Sequence, residues 1–137
     1  MAVLVAYDGS APAQQALEHA LEEYDPEEVV LLGVIEAAEG YVGASVNLAR
    51  QALKERREET ARELSETVRE LLEDGHEVQI ETAVGDPARQ IVEVAEELDV
   101  EEIIVGNHGR QGISRVLLGS VAERVVRRAP MPVTVVR

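Results

Sequence analysis

Four glycines and a serine set the chemistry this sequence can do. The stretch EEIIVGNHGRQGISRVLLGSVAERVV (101–126) places Gly106, Gly109, Gly119 and Ser120 in the spacing G-x2-G-x9-G-S, with Gly112 between them. It begins as a buried strand and ends as a helix. Glycine permits positive φ and lets another group come close to the backbone. Several such residues ahead of a helix can turn their N–H groups inward around an anion. The helix start adds free N–H groups and a partial positive charge, and the Ser120 hydroxyl can donate to a phosphate oxygen. His108, Arg110 and Arg115 bring local positive charge to a chain of net charge −14. Together these residues predict a phosphate cradle. The alternative is a strand-to-helix loop whose glycines serve only turns.

A second polar group closes the first apolar run, VLVAYDGS (3–10), with Tyr7, Asp8, Gly9 and Ser10. Ser10 is the better-placed cap for the helix that follows, which leaves the Asp8 carboxylate for a ligand. His108 reads equally as a site residue or a solvated loop residue. Arg115 can pair with a nearby Glu instead of a phosphate, and Tyr41 reads as a loop residue. His19 and His76 read as surface histidines. Nothing resembles a nucleophile paired with a base, and near the phosphates only His108 and Asp8 could serve as one.

A length of 137 residues predicts a single domain, 1–137, with enough chain for a proper core. With three Tyr and no Phe or Trp, that core must be built from Val, Leu, Ile and Ala. No apolar run approaches the length that spans a membrane, and MAVLVAYDGS has no basic region to mark it as a signal peptide. The absence of cysteine excludes a disulfide framework and thiol chemistry. A cytoplasmic protein is the simplest expectation. The negative charge argues against nucleic acid, whose binders place Lys and Arg on phosphates, and against an anionic membrane surface. A salt-adapted surface and Glu-rich helices both account for it.

Strand and helix alternate along the whole chain. Residues 2–7 and 27–36 read as strands covered on both faces. Ser10 caps a helix that buries Ala16, Leu17, Ala20 and Leu21. A loose stretch, 37–47, leads into a long helix at about 48–74, with Leu53, Leu64, Val68, Leu71 and Leu72 on its buried stripe, its Glu-rich face solvated, and Gly75 as its stop. Residues 76–84 alternate only in part, as in a strand near an edge. Asp86 caps the next helix with Pro87 at its first position. A strand at 101–106, a helix at about 117–128 and a strand in PVTVVR (132–137) complete the order. The class is α/β: an open five-stranded, mostly parallel sheet with helices on both faces. Ligands bind such sheets beyond the carboxyl ends of the strands, and only the first and fourth strands end in polar groups with backbone freedom.

The glycine loop is neither G-x-x-x-x-G-K-[ST] nor G-x-G-x-x-G. Its spacing resembles the nucleotide-binding signature of the universal stress protein family. VLVAYDGS resembles that family's first strand and aspartate, VVLLGVIE its second strand, GDPARQIVEVAEE the start of its third helix and PMPVTVV its closing strand. The likeness runs through essentially all 137 residues in order. It implies a Rossmann-like fold of the adenine nucleotide alpha hydrolase kind, and ATP as ligand, since the motif is intact. On that resemblance Ala6 and Val34 contact adenine, next to Tyr7. Asp8 reaches the ribose hydroxyls or a Mg²⁺ or Mn²⁺ near the phosphates. Gly106, Asn107, His108, Gly109, Arg110 and Gly112 wrap the phosphates, and Gly119, Ser120, Val121 and Ala122 close the site. Arg110 stands where many members carry Lys, and Asn107 where Ser is commoner.

The expected function is an ATP-binding stress-response or regulatory module. A slow ATPase or phosphotransferase and a nucleotide-independent dimeric interaction module are the alternatives. A phosphorylation-controlled receiver lacks its carboxylate and lysine here, and a flavin protein lacks stacking aromatics. The final strand should lie at a sheet edge with Val133, Thr134, Val135 and Val136 free to pair, so a homodimer through that strand is expected. The family resemblance implies the same.

Overall fold

The computed structural model describes residues 2–36, 46–72, 77–107 and 119–137. Five strands, β1 (Val3–Ala6), β2 (Val29–Ile35), β3 (Gln79–Val84), β4 (Glu102–Gly106) and β5 (Val133–Val136), form one sheet in the order β3-β2-β1-β4-β5. Every neighbouring pair is parallel. Parallel pairing requires a crossover between consecutive strands. The helices α1 (Ala11–Glu23), α2 (Val46–Leu71), α3 (Pro87–Glu97) and α4 (Ser120–Arg128) lie in those crossovers.

The strands are apolar in unbroken runs because both faces are covered. Val3, Val5, Leu31 and Ile104 pack under α1 and α2, against Leu17 and Leu64. Their strand neighbours Leu4, Leu32, Ile103 and Val105 pack under α3 and α4, against Ile91 and Val125. The partly alternating strand, β3, is at one edge of the sheet, and β5 is at the other.

The expected caps form. Ser10 Oγ accepts from the Ala13 N–H at 3.2 Å, and an Asp86 carboxylate oxygen accepts from the Arg89 N–H at 3.1 Å. The expected stripe on α2 holds only in its second half. Leu64 and Val68 are buried and Leu71 and Leu72 pack beside them, whereas Leu53 joins neither core cluster. The reason is length. The 26 residues of α2 run for about 39 Å at ~1.5 Å per residue, roughly twice the reach of a six- or seven-residue strand. The first turns therefore extend past the sheet, and Val46 and Leu48 are 67% and 65% exposed. The start of the third strand moves from the expected 76 to Gln79, while the proposed stop at Gly75 lies outside the described residues.

One polar cluster ties the end of α1 to β4 and β5. Glu102, the first residue of β4, accepts hydrogen bonds from the Tyr24 hydroxyl at the end of α1 and from the Thr134 hydroxyl on β5. The bond to Glu102 is the main cause that pushes the Tyr24 phenol up to about 12, with burial and the charges of Glu102, Glu101 and Glu23 adding to it. A raised phenol contributes stability that is whole below its ordinary value near 10 and is lost as pH rises through about 12. Ultraviolet titration should therefore show Tyr24 ionising near 12. Glu102→Gln should return it toward the ordinary range. An unmoved late phase in that variant would show that Glu102 does not hold the phenol.

Candidate functional site

The chain runs from β1 outward through β2 to β3, then returns to the other side of β1 for β4 and β5. The order thus reverses between β1 and β4, and a crevice opens beyond their carboxyl ends. It holds a cavity of about 160 Å³, similar to the ~150 Å³ that admits a benzene ring. Ala6, Tyr7 and Asp8 line it from β1, Leu32, Val34 and Glu36 from β2, and Val105 and Gly106 from β4. Ala13 of α1, Pro87 and Ile91 of α3, and Val121 and Ala122 of α4 complete the wall.

The structure therefore brings Ala6, Tyr7, Asp8, Val34, Gly106, Val121 and Ala122 together. Ser120 lines an adjoining recess with Glu36, Asp86, Pro87, Val121 and Arg124. The predicted residues His108, Gly109, Arg110 and Gly112 lie outside the described residues, as do Arg115 and Tyr41.

Asp8 is aimed by its own turn. Its Oδ1 accepts from the Ser10 N–H at 3.0 Å, and Gly9 between them has φ 84°, a left-handed conformation that glycine takes without the Cβ penalty. Ser10 is then placed to cap α1. The carboxylate is exposed at the cavity rim.

Neither of the two described loop glycines, Gly106 and Gly119, is there for a positive φ. A Cβ on Gly106 would lie 2.4 Å from both the carbonyl carbon and oxygen of Pro12 and 2.7 Å from the Ala13 nitrogen. Glycine here lets the first turn of α1 sit directly on β4. Gly119 is the N-cap of α4 at φ −60° and ψ 151°, an extended conformation open to any residue. Asn107 also has a defined place. Its Oδ1 accepts from the Gly119 N–H at 3.0 Å, and its own N–H donates to the Val136 carbonyl at 2.7 Å. It joins the end of β4 to the start of α4, across the ends of the 108–118 segment.

Sequence reasoning missed six wall residues, Ala13, Leu32, Glu36, Pro87, Ile91 and Val105, and one ion pair. Arg124 donates to both Asp86 oxygens, at 2.9 and 2.7 Å, and so ties α4 to the start of α3 beside the recess. The Arg124 guanidinium, and after it the Arg89 N–H, hold the Asp86 carboxyl below its usual range. The pair is well exposed, at 42% and 41%, so solvent screens it. Among the described residues no group of three His, Cys, Asp or Glu side chains could hold a metal, and no helix is long and apolar enough to cross a membrane.

A profile of the Universal stress protein family matches residues 1–137. The chain belongs to that family. Universal stress protein MJ0577 of Methanocaldococcus jannaschii is 36% identical over 151 residues, covering 98% of this chain and 93% of the relative. Universal stress protein MJ0531 of the same organism is 34% identical over 139 residues, covering 98% and 81%. The solved structure of MJ0577 superposes with a TM-score of 0.77 at 34% identity, over 98% of this chain and 93% of the other. A universal stress protein from Archaeoglobus fulgidus, solved in complex with dAMP, shares the fold at a TM-score of 0.59 and 24% identity, over 100% and 98% of the two chains. The sheet order is that of the universal stress protein fold.

Proposed function

We propose that this universal stress protein binds an adenine nucleotide, ATP by its glycine motif, and acts as a nucleotide-dependent stress-response or regulatory module. The observation that carries this is the cavity itself: ring-sized, apolar on most of its wall, and set at the reversal of strand order beside the start of α4. The dAMP complex of the Archaeoglobus relative, alike in fold, points the same way.

In this reading adenine lies against Ala6 and Val34, with Val121 and Ala122 closing the site from α4. Asp8 meets the ribose hydroxyls. The phosphates extend toward Ser120 and Gly119, with Asn107, His108, Gly109, Arg110 and Gly112 around them. A Mg²⁺ or Mn²⁺ fits only as an ion carried by the phosphates with Asp8 as a single protein ligand, a common arrangement for Mg²⁺. The module pairs with a second copy through β5.

Two measurements test the nucleotide. The ligand released on heating the purified protein should have the mass of an adenine nucleotide, and calorimetric titration of the emptied protein with ATP should show saturable binding. Asp8→Asn keeps an oxygen for the Ser10 N–H but removes the charge. A charge-assisted hydrogen bond exceeds a neutral one by roughly 1 kcal/mol, so affinity should fall about fivefold while stability without ligand holds. Failure to bind ATP, ADP or AMP overturns the reading. Unchanged affinity in Asp8→Asn removes Asp8 from the site.

A further inference from the structure

The two edges of the sheet are finished differently. At the β3 edge the Gly85 N–H donates to the Ile35 carbonyl at 2.9 Å, and Val84 is the register partner of Ile35. In a parallel pair the residues flanking each register partner carry the bonds. Ala83 and Gly85 therefore turn their backbone groups inward to β2, while those of Ile80, Thr82 and Val84 face outward. The middle one, Thr82, is covered. Arg57 of α2 reaches over the edge, where its Nη2 donates to the Thr82 carbonyl at 3.3 Å and its Nε to the Thr82 hydroxyl at 3.4 Å. Gly33, the register partner of Thr82, supports that reach. A Cβ on Gly33 would lie 2.8 Å from Cγ2 of Thr60, so glycine lets α2 lie low on β2 at this rung. Arg57 precedes Thr60 by one turn on the same side of the helix, and its long side chain spans the one strand left before solvent. At the other edge, among the described residues, the only side-chain hydrogen bond of β5 is that of the Thr134 hydroxyl to Glu102. It leaves the backbone of Val133 and Val135 open.

An open row of outward N–H and C=O groups is a template for another strand. We propose that Arg57 guards the β3 edge against a second copy of this chain and so confines strand pairing between copies to β5. The guard is independent of nucleotide binding. Two copies meeting at β3 about a two-fold axis would pair antiparallel. Their longest pairing is centred on Thr82, with Ile80 opposite Val84 of the copy. Each Thr82 carbonyl must then shed its Arg57, and the two guanidinium groups are driven into one seam. Like charges opposed across strands are destabilising, and each guanidinium has lost both its acceptors. β3 has six residues against four in β5, so it is the edge that offers the longer template. A chain with both edges open would add copies without limit, β5 to β5 and β3 to β3. Closing one edge stops the assembly at two.

Sedimentation velocity at tens of micromolar tests this, with Val135→Pro taking an outward N–H from β5 so that the β3 edge is read alone. In that background Arg57→Ala should raise the particle mass about twofold. Adding Thr82→Pro removes the central outward N–H of β3, at an edge position where proline is tolerated, and should cancel the increase. With β5 intact, Arg57→Ala should build species heavier than the parent that grow with concentration. Arg57 is exposed and alanine is a good helix former, so circular dichroism of Arg57→Ala should match the parent. A mass that Arg57→Ala leaves unchanged in both backgrounds overturns the guard. An increase that survives Thr82→Pro places the new contact on some other surface, and overturns it as well.

Discussion

Gly106→Val is expected to unfold the chain or leave it barely stable, whether or not nucleotide is present. The atoms that a Cβ would strike belong to the backbone, the carbonyl of Pro12 at 2.4 Å and the Ala13 nitrogen at 2.7 Å. A side chain can rotate away from such a collision; a helix's first turn cannot. Relief requires α1 to lift from β4, and that opens the contact of Ile104 with Ala16, Leu17 and Ala20, all 0% exposed. Overpacking in a core costs about 1–3 kcal/mol where side chains can give way. A backbone collision should cost about 3 kcal/mol or more for Gly106→Ala and more again for valine. Domain stabilities are about 5–15 kcal/mol in all. Urea unfolding of the nucleotide-free protein is the deciding measurement. If Gly106 serves phosphate alone, Gly106→Ala keeps the parent's midpoint and loses only ligand affinity, and the steric account is then wrong.

That experiment bears on how much of the molecule can be read along the chain. The glycine motif marks the right place in the fold, but Gly106 is fixed by Pro12, a contact no local pattern contains. Periodicity located the caps at Ser10 and Asp86 and the edge position of β3, because those depend on neighbouring residues. It placed Leu53 on the correct face of α2, yet a 3.6-residue period says nothing of where the sheet beneath the helix stops. Glu36 carries no signature either. It is a lone acid after an apolar strand, and only the strand order puts it beside Asp8 in one cavity. Arg124 and Asp86 are 38 residues apart, and their pairing depends on how α3 and α4 pack. Asn107 falls at an unspecified position of the motif. Its role appears only when the N–H that its side chain accepts is seen to be that of Gly119.

Val135→Pro should convert the proposed dimer to single chains, and the register of β5 is what selects this residue. Ile103 donates to the Pro132 carbonyl and Asn107 to the Val136 carbonyl, with Val133 opposite Ile103 and Val135 opposite Val105. In a parallel pair the residues flanking each register partner carry the bonds. Thr134 and Val136 therefore turn their backbone groups inward to β4, while those of Val133 and Val135 face outward from the edge. Proline at 134 would break the sheet's own ladder. Proline at 135 removes an outward N–H, a position where edge strands tolerate it. A charge on the Val135 side chain is a poorer probe, because that side chain packs against the core under α3 and α4. Two copies related by a two-fold axis would pair their β5 strands antiparallel, and each outward N–H lost is lost twice across the seam. Light scattering at tens of micromolar should give the parent about twice the chain mass of 14.9 kDa and the variant about that mass. Circular dichroism should remain that of the folded parent. A monomeric parent overturns the dimer. A variant that stays dimeric leaves two copies joined, but by some surface other than the free edge of β5.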